Sequence, residues 1–308
     1  MLLYDAIFLE HETVGHPESK ERLQSVWTHL RETGLDQECT SSSWQPATIE
    51  QLTRVHDLGY VQAVKLFAES GGGRIEADTI VSPLSHHVAT QASGAVCHAV
   101  ERVVNGLQAN ALCLVRPPGH HARPANAMGF CLFNHIAVGA RHAIDELGLN
   151  RVLIVDWDVH HGNGTQESFY EDEQIGFLSI HRFPFYPGTG DANETGSGAG
   201  LGTTMNVAVE FGTTREIYLT AFQVALEDLA KKVRPELILI SAGFDAHRSD
   251  PIGSLGLEVE DFAELTRLVR AVADEYCGGR IVSMLEGGYN PNVLPHCVDA
   301  HIKGLLAA

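Results

Sequence analysis

The 308-residue sequence is poor in basic side chains, and this shortage limits its partners. It has 21 lysine and arginine residues against 39 aspartate and glutamate residues, which gives a net charge of −18 with histidine neutral. Such a charge repels the phosphate backbone, so nucleic acid is not an expected partner. The same charge suits cationic substrates, but it also suits solubility alone, and both interpretations stay open.

The sequence also lacks the features of membrane and secreted proteins. No apolar run approaches the length of a membrane span, and the apolar start at Met1–Tyr4 is followed by Asp5 without a basic segment before it. We therefore expect neither membrane contact nor a signal peptide. The six cysteines form no C-x-x-C pair, and Cys97 and Cys113 lie in apolar surroundings typical of reduced thiols. Reduced thiols favour a cytoplasmic location.

The most informative stretch lies in the middle of the sequence. Val152–Val155 is an uninterrupted apolar run, which predicts a strand buried on both faces. Asp156, Asp158 and His160 follow at alternate positions, so an extended backbone would point them the same way. A turn at His161–Gly164 ends the strand. Carboxylates and imidazoles at the carboxyl end of a buried strand predict a metal site in the ligand crevice of an α/β sheet.

Similar apolar runs alternate with helical stretches along the whole sequence. Leu112–Val115, Leu237–Ile240 and Ile281–Leu285 have the same buried character as the central run. This alternation predicts an α/β protein with a parallel sheet covered by helices on both faces. No shift in composition, internal repeat or low-complexity segment divides the sequence, so residues 1–308 are predicted to form a single domain.

Polar side chains follow four of the predicted strands. His120 and His121 come after the first, Asp156–His160 after the second, Asp245 after the third, and Tyr289, on a Gly-Gly hinge, after the last. Each alone is common as a loop residue or a helix cap. Because the carboxyl ends of parallel strands meet at one edge of the sheet, their joint occurrence predicts a common site.

This set of side chains suits metal-assisted amide hydrolysis. Two carboxylates and an imidazole make a three-ligand divalent site with room for water and substrate. The metal would lower the pKa of a bound water and polarise a carbonyl. A neutral histidine can carry the proton from the water to the leaving group, and a tyrosine hydroxyl can donate a hydrogen bond to the oxyanion.

Five motifs together resemble the zinc-dependent histone deacetylase family, which includes bacterial histone deacetylase-like amidohydrolases and acetylpolyamine amidohydrolases. The motifs are R-P-P-G-H-H at 116–121, G-F-C at 129–131, D-W-D-V-H-H-G-N-G at 156–164, A-G-F-D at 242–245 and L-E-G-G-Y at 285–289. They occur in the family's order, and the resemblance covers about residues 5–305. It implies the arginase–deacetylase fold, an eight-stranded parallel sheet between layers of helices.

The resemblance implies a metal site and a catalytic set. Asp158, His160 and Asp245 match the ligands of one zinc ion, with Fe²⁺ or Co²⁺ as possible substitutes. Arginases, which share the fold, use an Asp-x-Asp pair to hold a second metal. The second of these positions is His247 in this sequence. A single zinc is therefore favoured, and a second, weaker metal stays an alternative.

The catalytic residues are assigned by the same matches. His121 matches the general base and acid, and His120 matches its electrostatic partner. Tyr289 matches the tyrosine that stabilises the oxyanion. Asp156 matches the acid that orients His120, and Asn163 matches the partner of His121. Class I members usually have aspartate at this last position, so the asparagine resembles class II.

Further matches concern substrate binding. Gly129, Phe130 and Tyr186 match the walls of a narrow acyl-lysine tunnel, and Asp78 lies near the position of an aspartate at its rim. Ile252 stands where a polyamine-selective class IIb deacetylase places an acid, which removes that argument for polyamine selectivity.

Two other sites are implied by the resemblance. Arg22 matches an arginine that lines the exit channel for acetate. A structural potassium site is also expected. Its matching residues are Asp156, Asp158, His160, Ser179 and Ile180.

Four functions fit the sequence. The leading hypothesis is a zinc-dependent deacylase that hydrolyses ε-N-acetyl-lysine or another acyl-lysine in proteins or peptides. Hydrolysis of acetylated polyamines or other small acetylated amines is the alternative within the same class. A catalytically silent acyl-lysine-binding module belongs to a different class, and the complete set of catalytic side chains argues against it. An arginase-like hydrolase with two metals is the fourth. The acyl chain, the physiological substrate and the oligomeric state stay open.

Overall fold

The computed structural model describes residues 1–307, which contain nine strands and nine helices. The strands are β1 Leu2–Leu3, β2 Gly73–Arg74, β3 Ile80–Val81, β4 Asn110–Cys113, β5 Val152–Asp156, β6 Ile175–Arg182, β7 Thr204–Val209, β8 Leu237–Ala242 and β9 Ile281–Leu285. The helices are α1 Lys20–Thr33, α2 Ile49–Thr53, α3 Leu58–Glu69, α4 Ser85–Val104, α5 His135–Asp145, α6 Asn163–Phe169, α7 Arg215–Val233, α8 Val259–Cys277 and α9 Leu294–Leu306.

The main sheet is parallel throughout and has the strand order β1-β4-β9-β8-β5-β6-β7. Strands β2 and β3 form a separate antiparallel pair. Helices α4 and α5 pack together, while α7, α8, α9 and α1 pack in succession, so two groups of helices flank the sheet. The α/β architecture predicted from the sequence is confirmed, because every strand of the main sheet except the edge strand β7 is largely buried and mostly apolar.

The expected number of eight strands is wrong for residues 1–307, where the main sheet has seven. Strand β1 forms one edge of this sheet. The chain does pass beside it, because the Leu2 amide donates a hydrogen bond to the Thr40 carbonyl at 2.8 Å. Thr40 is followed by the polar stretch Ser41–Ser43, which has no apolar face to bury. A ladder does not form there, and the segment stays irregular.

A buried ion cluster fixes the loop that follows β4. The Glu18 carboxylate accepts hydrogen bonds from Arg116 Nε at 2.6 Å, Arg116 Nη2 at 2.8 Å and Arg22 Nη1 at 3.0 Å. Burial alone would raise the pKa of Glu18, but the neighbouring Arg116 outweighs it and holds the pKa below its ordinary value. Removing one partner from such a buried cluster leaves an uncompensated charge, which typically costs about 3–5 kcal/mol.

All six cysteines are free thiols. Within residues 1–307, no helix combines the length and the apolar character that crossing a membrane requires.

One buried histidine joins three elements of the core. His301 of α9 is fully buried, and its ring nitrogens lie 2.6 Å from Thr266 Oγ1 of α8 and 2.9 Å from Ser283 Oγ of β9. Burial lowers the pKa of His301 from 6.5 to about 3. The folded state therefore keeps the ring neutral at a pH where the unfolded chain binds a proton.

We predict that the His301→Gln variant loses less stability on acidification than the wild type. A pKa depressed by folding contributes stability that is present above pH 6.5 and is lost progressively as the pH falls toward 3. Between pH 7 and pH 5, the free energy of unfolding of the wild type should fall by about 2 kcal/mol more than that of the variant. Urea unfolding of both proteins at the two pH values measures this difference. Equal losses would contradict a neutral His301 in the folded protein.

Candidate metal centre and active site

The predicted site residues come together at the carboxyl edge of the sheet. His120 and His121 follow β4, Asp158 and His160 follow β5, and Tyr289 follows β9. Asp245 completes the group from the loop after β8, and every one of these side chains is buried. Strands β4, β9, β8 and β5 are consecutive in the sheet, so their four loops meet on one side of it.

Three of these side chains offer a compact set of metal ligands. The ligand atoms of Asp158, His160 and Asp245 all lie within 4.8 Å of one another. The Asp245 Oδ1 atom accepts a hydrogen bond from the Val159 amide at 2.9 Å, and Asp158 Oδ2 accepts one from the Gly287 amide at 2.8 Å. Backbone amides therefore orient both carboxylates toward His160.

The charges at this cluster favour a bound cation. Asp245 Oδ2 is buried without a hydrogen-bond partner, although it lies 3.1 Å from His160 Nδ1. Burial, and then the charge of Asp158, raises the pKa of Asp245 to about 7. Burial would lower the pKa of His160, but its close contacts with the carboxylates of Asp158 and Asp245 raise it to about 10. Two carboxylates thus share the single positive charge of His160. Two carboxylate oxygens and one imidazole nitrogen form a donor set that a divalent zinc ion prefers. These residues fit the implied metal.

The Gly-Gly pair before Tyr289 is closely packed, not a loose hinge as the sequence suggested. A Cβ atom at Gly287 would collide with the carboxylates of both Asp158 and Asp245. At Gly288, φ is +119°, and a Cβ atom would approach the Leu294 side chain to 2.8 Å. The first glycine therefore gives the two carboxylates room, and the second provides a backbone conformation that other residues rarely adopt.

The two adjacent histidines have different partners. His120 Nδ1 lies 2.8 Å from Asp156 Oδ2, whereas His121 Nδ1 lies 2.7 Å from the amide oxygen of Asn163. Both acceptors are oxygens, so each Nδ1 carries the proton and donates it. In a neutral His121, the Nε2 atom then holds a lone pair.

These partners, together with burial, shift the pKa values of the two histidines in opposite directions. Burial would lower the pKa of His120, but the charges of Asp156 and Asp158 raise it well above 6.5. Burial, and then the neighbouring His120, lowers the pKa of His121 well below 6.5. The ring centroids are only 4.0 Å apart, so one protonated ring disfavours a proton on the other. The pair therefore consists of a cationic His120 and a neutral His121.

Tyr289 is held with its phenol protonated. Its ring meets the edge of Phe130, with centroids 5.8 Å apart, and the Arg22 guanidinium lies 4.7 Å from the ring centroid on its face. Burial raises the pKa of Tyr289 well above 10. At neutral pH its hydroxyl is a hydrogen-bond donor.

Aromatic side chains surround the metal-ligand cluster. Tyr186 meets the ring of His121 edge-on, with centroids 5.3 Å apart, and Phe185 stacks on His160 at 5.3 Å. Phe130 contributes from the facing loop, where Gly129 lets the backbone approach His121 so closely that a Cβ atom would collide with the ring. These contacts bring the three predicted tunnel residues, Gly129, Phe130 and Tyr186, next to the candidate site.

The two other residues matched to substrate binding are Asp78 and Ile252. Burial, and then the charge of Asp78, raises the pKa of Tyr186 above 10, which places Asp78 beside this ring. The Asp78 carbonyl lies 3.0 Å from His16 Nε2. Ile252 is 36% exposed in the loop after β8, and its amide donates a hydrogen bond to Asp250.

Arg22 contacts the loop that carries Tyr289, and the predicted potassium residues lie on β5, in the loop after it and on β6. Arg22 donates hydrogen bonds to the carbonyls of Gly288 at 2.5 Å and Glu286 at 2.6 Å, besides its bond to Glu18. In the potassium set, Ser179 of β6 is the register partner of Asp156 of β5, and Ile180 follows it in the strand. Asp158 and His160 continue the chain from β5.

Two buried acids in the site were not predicted as functional residues. Glu286 Oε2 accepts hydrogen bonds from the amides of Gly119 at 2.7 Å and His120 at 3.2 Å, so it holds the histidine loop. Asp250 accepts hydrogen bonds from three amides, including that of Tyr289. The only signal in the sequence is that each acid stands close to a strand end, Glu286 after β9 and Asp250 after Asp245.

Comparisons with known proteins agree with this site. The sequence matches the family model described as "Histone deacetylase domain" over residues 16–305. It is 38% identical over 292 residues to a probable deacetylase of Archaeoglobus fulgidus, covering 94% of this chain and 81% of that protein. It is 38% identical over 297 residues to a histone deacetylase-like amidohydrolase of Pseudomonas aeruginosa, covering 94% of this chain and 77% of that protein.

A human relative and a solved structure extend the comparison. Human histone deacetylase 9 is 35% identical over 343 residues, which cover 99% of this chain but 34% of the human protein. The crystal structure of the HDA15 HD domain superposes with a TM-score of 0.93 at 36% identity, covering 99% of this chain and 87% of that chain. The family match spans most of the sequence, and the structural match spans nearly all of it. The chain therefore belongs to the histone deacetylase family, whose members include deacetylases and amidohydrolases.

Proposed function

We propose that this protein is a zinc-dependent deacylase that hydrolyses the amide of ε-N-acetyl-lysine, or of a related acyl-lysine, in proteins or peptides. The observation that carries the proposal is the placement of two histidines with different partners, His120 on Asp156 and His121 on Asn163, beside a cluster of three candidate metal ligands. A site that only bound acyl-lysine would need neither a general base nor a metal.

The metal is proposed to be one zinc ion held by Asp158, His160 and Asp245, with Fe²⁺ or Co²⁺ able to replace it. When bound, it would activate water and polarise the substrate carbonyl. A second metal of the arginase type is disfavoured by the contacts of His247. Its Nε2 atom lies 3.6 Å from Glu258, and its Nδ1 atom accepts a hydrogen bond from the Ser249 amide at 3.0 Å.

His121 is the proposed general base and acid. Its Nδ1–H group donates to Asn163, so the Nε2 lone pair can accept a proton from the attacking water. When the carbon–nitrogen bond breaks, the same proton passes from His121 Nε2 to the leaving amine. His120, oriented by Asp156, keeps its positive charge throughout and stabilises the negative charge that develops nearby.

Tyr289 is the proposed donor to the oxyanion, because its buried hydroxyl stays protonated. The alkyl chain of the acyl-lysine would lie among Gly129, Phe130 and Tyr186. Asp78, beside Tyr186, is proposed to accept a hydrogen bond from the peptide backbone at the rim.

Two sites would support the reaction. Arg22 uses three of its five N–H donors on protein oxygens, which leaves two for a carboxylate product leaving through the interior. A structural potassium ion is proposed near the main chain that follows β5. Its ligands would come from Asp156, Asp158, His160, Ser179 and Ile180.

Acetylated polyamines are the second candidate substrates. The net charge of −18 favours a cationic substrate of this kind. Ile252, which is apolar and 36% exposed, offers no charge to a second amine, and this removes one argument for polyamine selectivity.

We predict that metal binding depends on the three ligands and not on the neighbouring histidine. The Asp158→Ala variant should lose bound zinc and activity, because two ligands remain in a cavity built for three. The His120→Ala variant is the matched control, and it should keep about one zinc per chain. Metal content after dialysis, measured by mass spectrometry, decides the outcome. Full activity of wild-type protein stripped of metal would refute the assignment.

We predict that the Tyr289→Phe variant binds an acetyl-lysine peptide nearly as tightly as the wild type but hydrolyses it about 10²–10³-fold more slowly. The hydroxyl meets the developing oxyanion, and the ground-state carbonyl gains much less from it. Steady-state rates and a separate binding titration on both proteins test this expectation.

The same assay separates the candidate substrates when an acetylated polyamine replaces the peptide. A higher kcat/KM for the peptide supports the proposed function, and a higher kcat/KM for the polyamine supports the second candidate. Unchanged turnover in the Tyr289→Phe variant would remove this residue from the mechanism.

A further inference from the structure

The side chain of Asp250 contacts the backbone of Tyr289, which lies 39 residues later in the sequence. Its Oδ2 atom accepts a hydrogen bond from the Tyr289 amide at 2.7 Å. Its Oδ1 atom accepts hydrogen bonds from the amides of Ile252 at 2.9 Å and Gly253 at 3.0 Å. The residue is only 8% exposed. One carboxylate thus joins the loop after β8 to the backbone of the tyrosine.

The position of Tyr289 depends on such contacts, because two glycines precede it. Gly287 and Gly288 have no side chains to anchor the strand end. Their carbonyls accept hydrogen bonds from the Phe244 amide at 3.0 Å and from Arg22 Nε at 2.5 Å. The Tyr289 amide is the next group along the chain, and Asp250 is its acceptor. Fixing this amide sets the direction of the Cα–Cβ bond and so the place of the hydroxyl.

We propose that Asp250 is a positioning residue for Tyr289, which holds the phenol where the oxyanion develops without touching the substrate itself. The inference rests on the proposed role of Tyr289 as the oxyanion donor. Preorganised donors contribute most when they need no reorganisation during the reaction. A shift of about 1 Å in such a group can lower a rate about 10²-fold.

A carboxylate suits this position better than an amide. Both of its oxygens face backbone N–H groups, so both must accept. An asparagine of the same shape would turn its oxygen to Ile252 and Gly253 and place its own NH₂ group against the Tyr289 amide. Two donors would then face each other in a buried place, and the loop that carries Tyr289 would move away.

The test is a double-mutant cycle of the metal-loaded wild type, Asp250→Asn, Tyr289→Phe and the double variant. On the wild-type background, Asp250→Asn should lower kcat for an acetyl-lysine peptide about 10–100-fold. The KM and the zinc content should change little, and the melting temperature should fall by a few degrees because two donors oppose each other. On the Tyr289→Phe background, Asp250→Asn should cause no further loss, because the group that it positions is absent.

The matched control is Asn290→Ala. Asn290 Nδ2 donates to the Ser249 carbonyl at 2.8 Å, so it joins the same two loops without touching the Tyr289 amide. Its kcat should stay within about threefold of the wild type, since surface contacts of this kind contribute little. A loss as large as that of Asp250→Asn would mean that the loop contact as a whole matters, and it would overturn the specific role of Asp250.

Other outcomes also decide the proposal. An equal loss from Asp250→Asn on both backgrounds, or a loss of zinc, would overturn it, because Asp250 would then act independently of Tyr289. Should Asp250→Asn not fold, Asp250→Glu takes its place in the cycle, since it keeps the charge but moves it by one methylene, and the same two results decide. A fully active Tyr289→Phe variant would instead refute the proposed role of Tyr289 as the oxyanion donor, on which this inference rests.

Discussion

Four buried carboxylates at one edge of the sheet constrain everything around them. Asp156, Asp158, Asp245 and Glu286 are each at most 1% exposed, and burial alone would raise the pKa of all four. Negative charge of this density is stable only when cations or hydrogen-bond donors surround it. Backbone amides after β4, β5 and β9 supply part of the compensation, and His120 supplies a positive charge. The three-ligand cluster has room for a divalent metal to supply the rest.

The buried carboxylates also shift the protonation of the two adjacent histidines in opposite directions. The carboxylates keep a proton on His120, and the charge of His120 keeps a second proton away from His121. Asn163, which carries no charge, orients His121 and raises its pKa less than a carboxylate would. The chain therefore gives different partners to two imidazole rings whose centroids lie 4.0 Å apart.

Most of the fold could be predicted from the sequence, and so could the set of polar residues that meets at one edge of the sheet, because both depend on local patterns. Apolar runs marked the strands, and side chains at strand ends such as Asp245 marked the site. The role of Asp250 could not be predicted, because its bond to Tyr289 joins the loops after two different strands. That these strands are neighbours in the sheet cannot be read from the sequence. Glu286 was missed for the same reason, since its partner His120 lies 166 residues away. The expected eighth strand is absent for a local reason. The polar stretch after Thr40 passes beside the sheet but lacks the apolar face that would make it a strand.

The central claim is that His121 acts as a neutral base because it is buried beside His120 and because its partner Asn163 adds no negative charge. The pH dependence of kcat/KM for the wild type and for Asn163→Asp tests this claim most directly. The acidic limb reports protonation of His121, whose pKa lies well below 6.5 in the wild type, so activity should persist below that pH. A carboxylate at position 163 favours the imidazolium form, so the account predicts that the limb moves up by about 1–3 pH units. An acidic limb at the same pH in both proteins would contradict it.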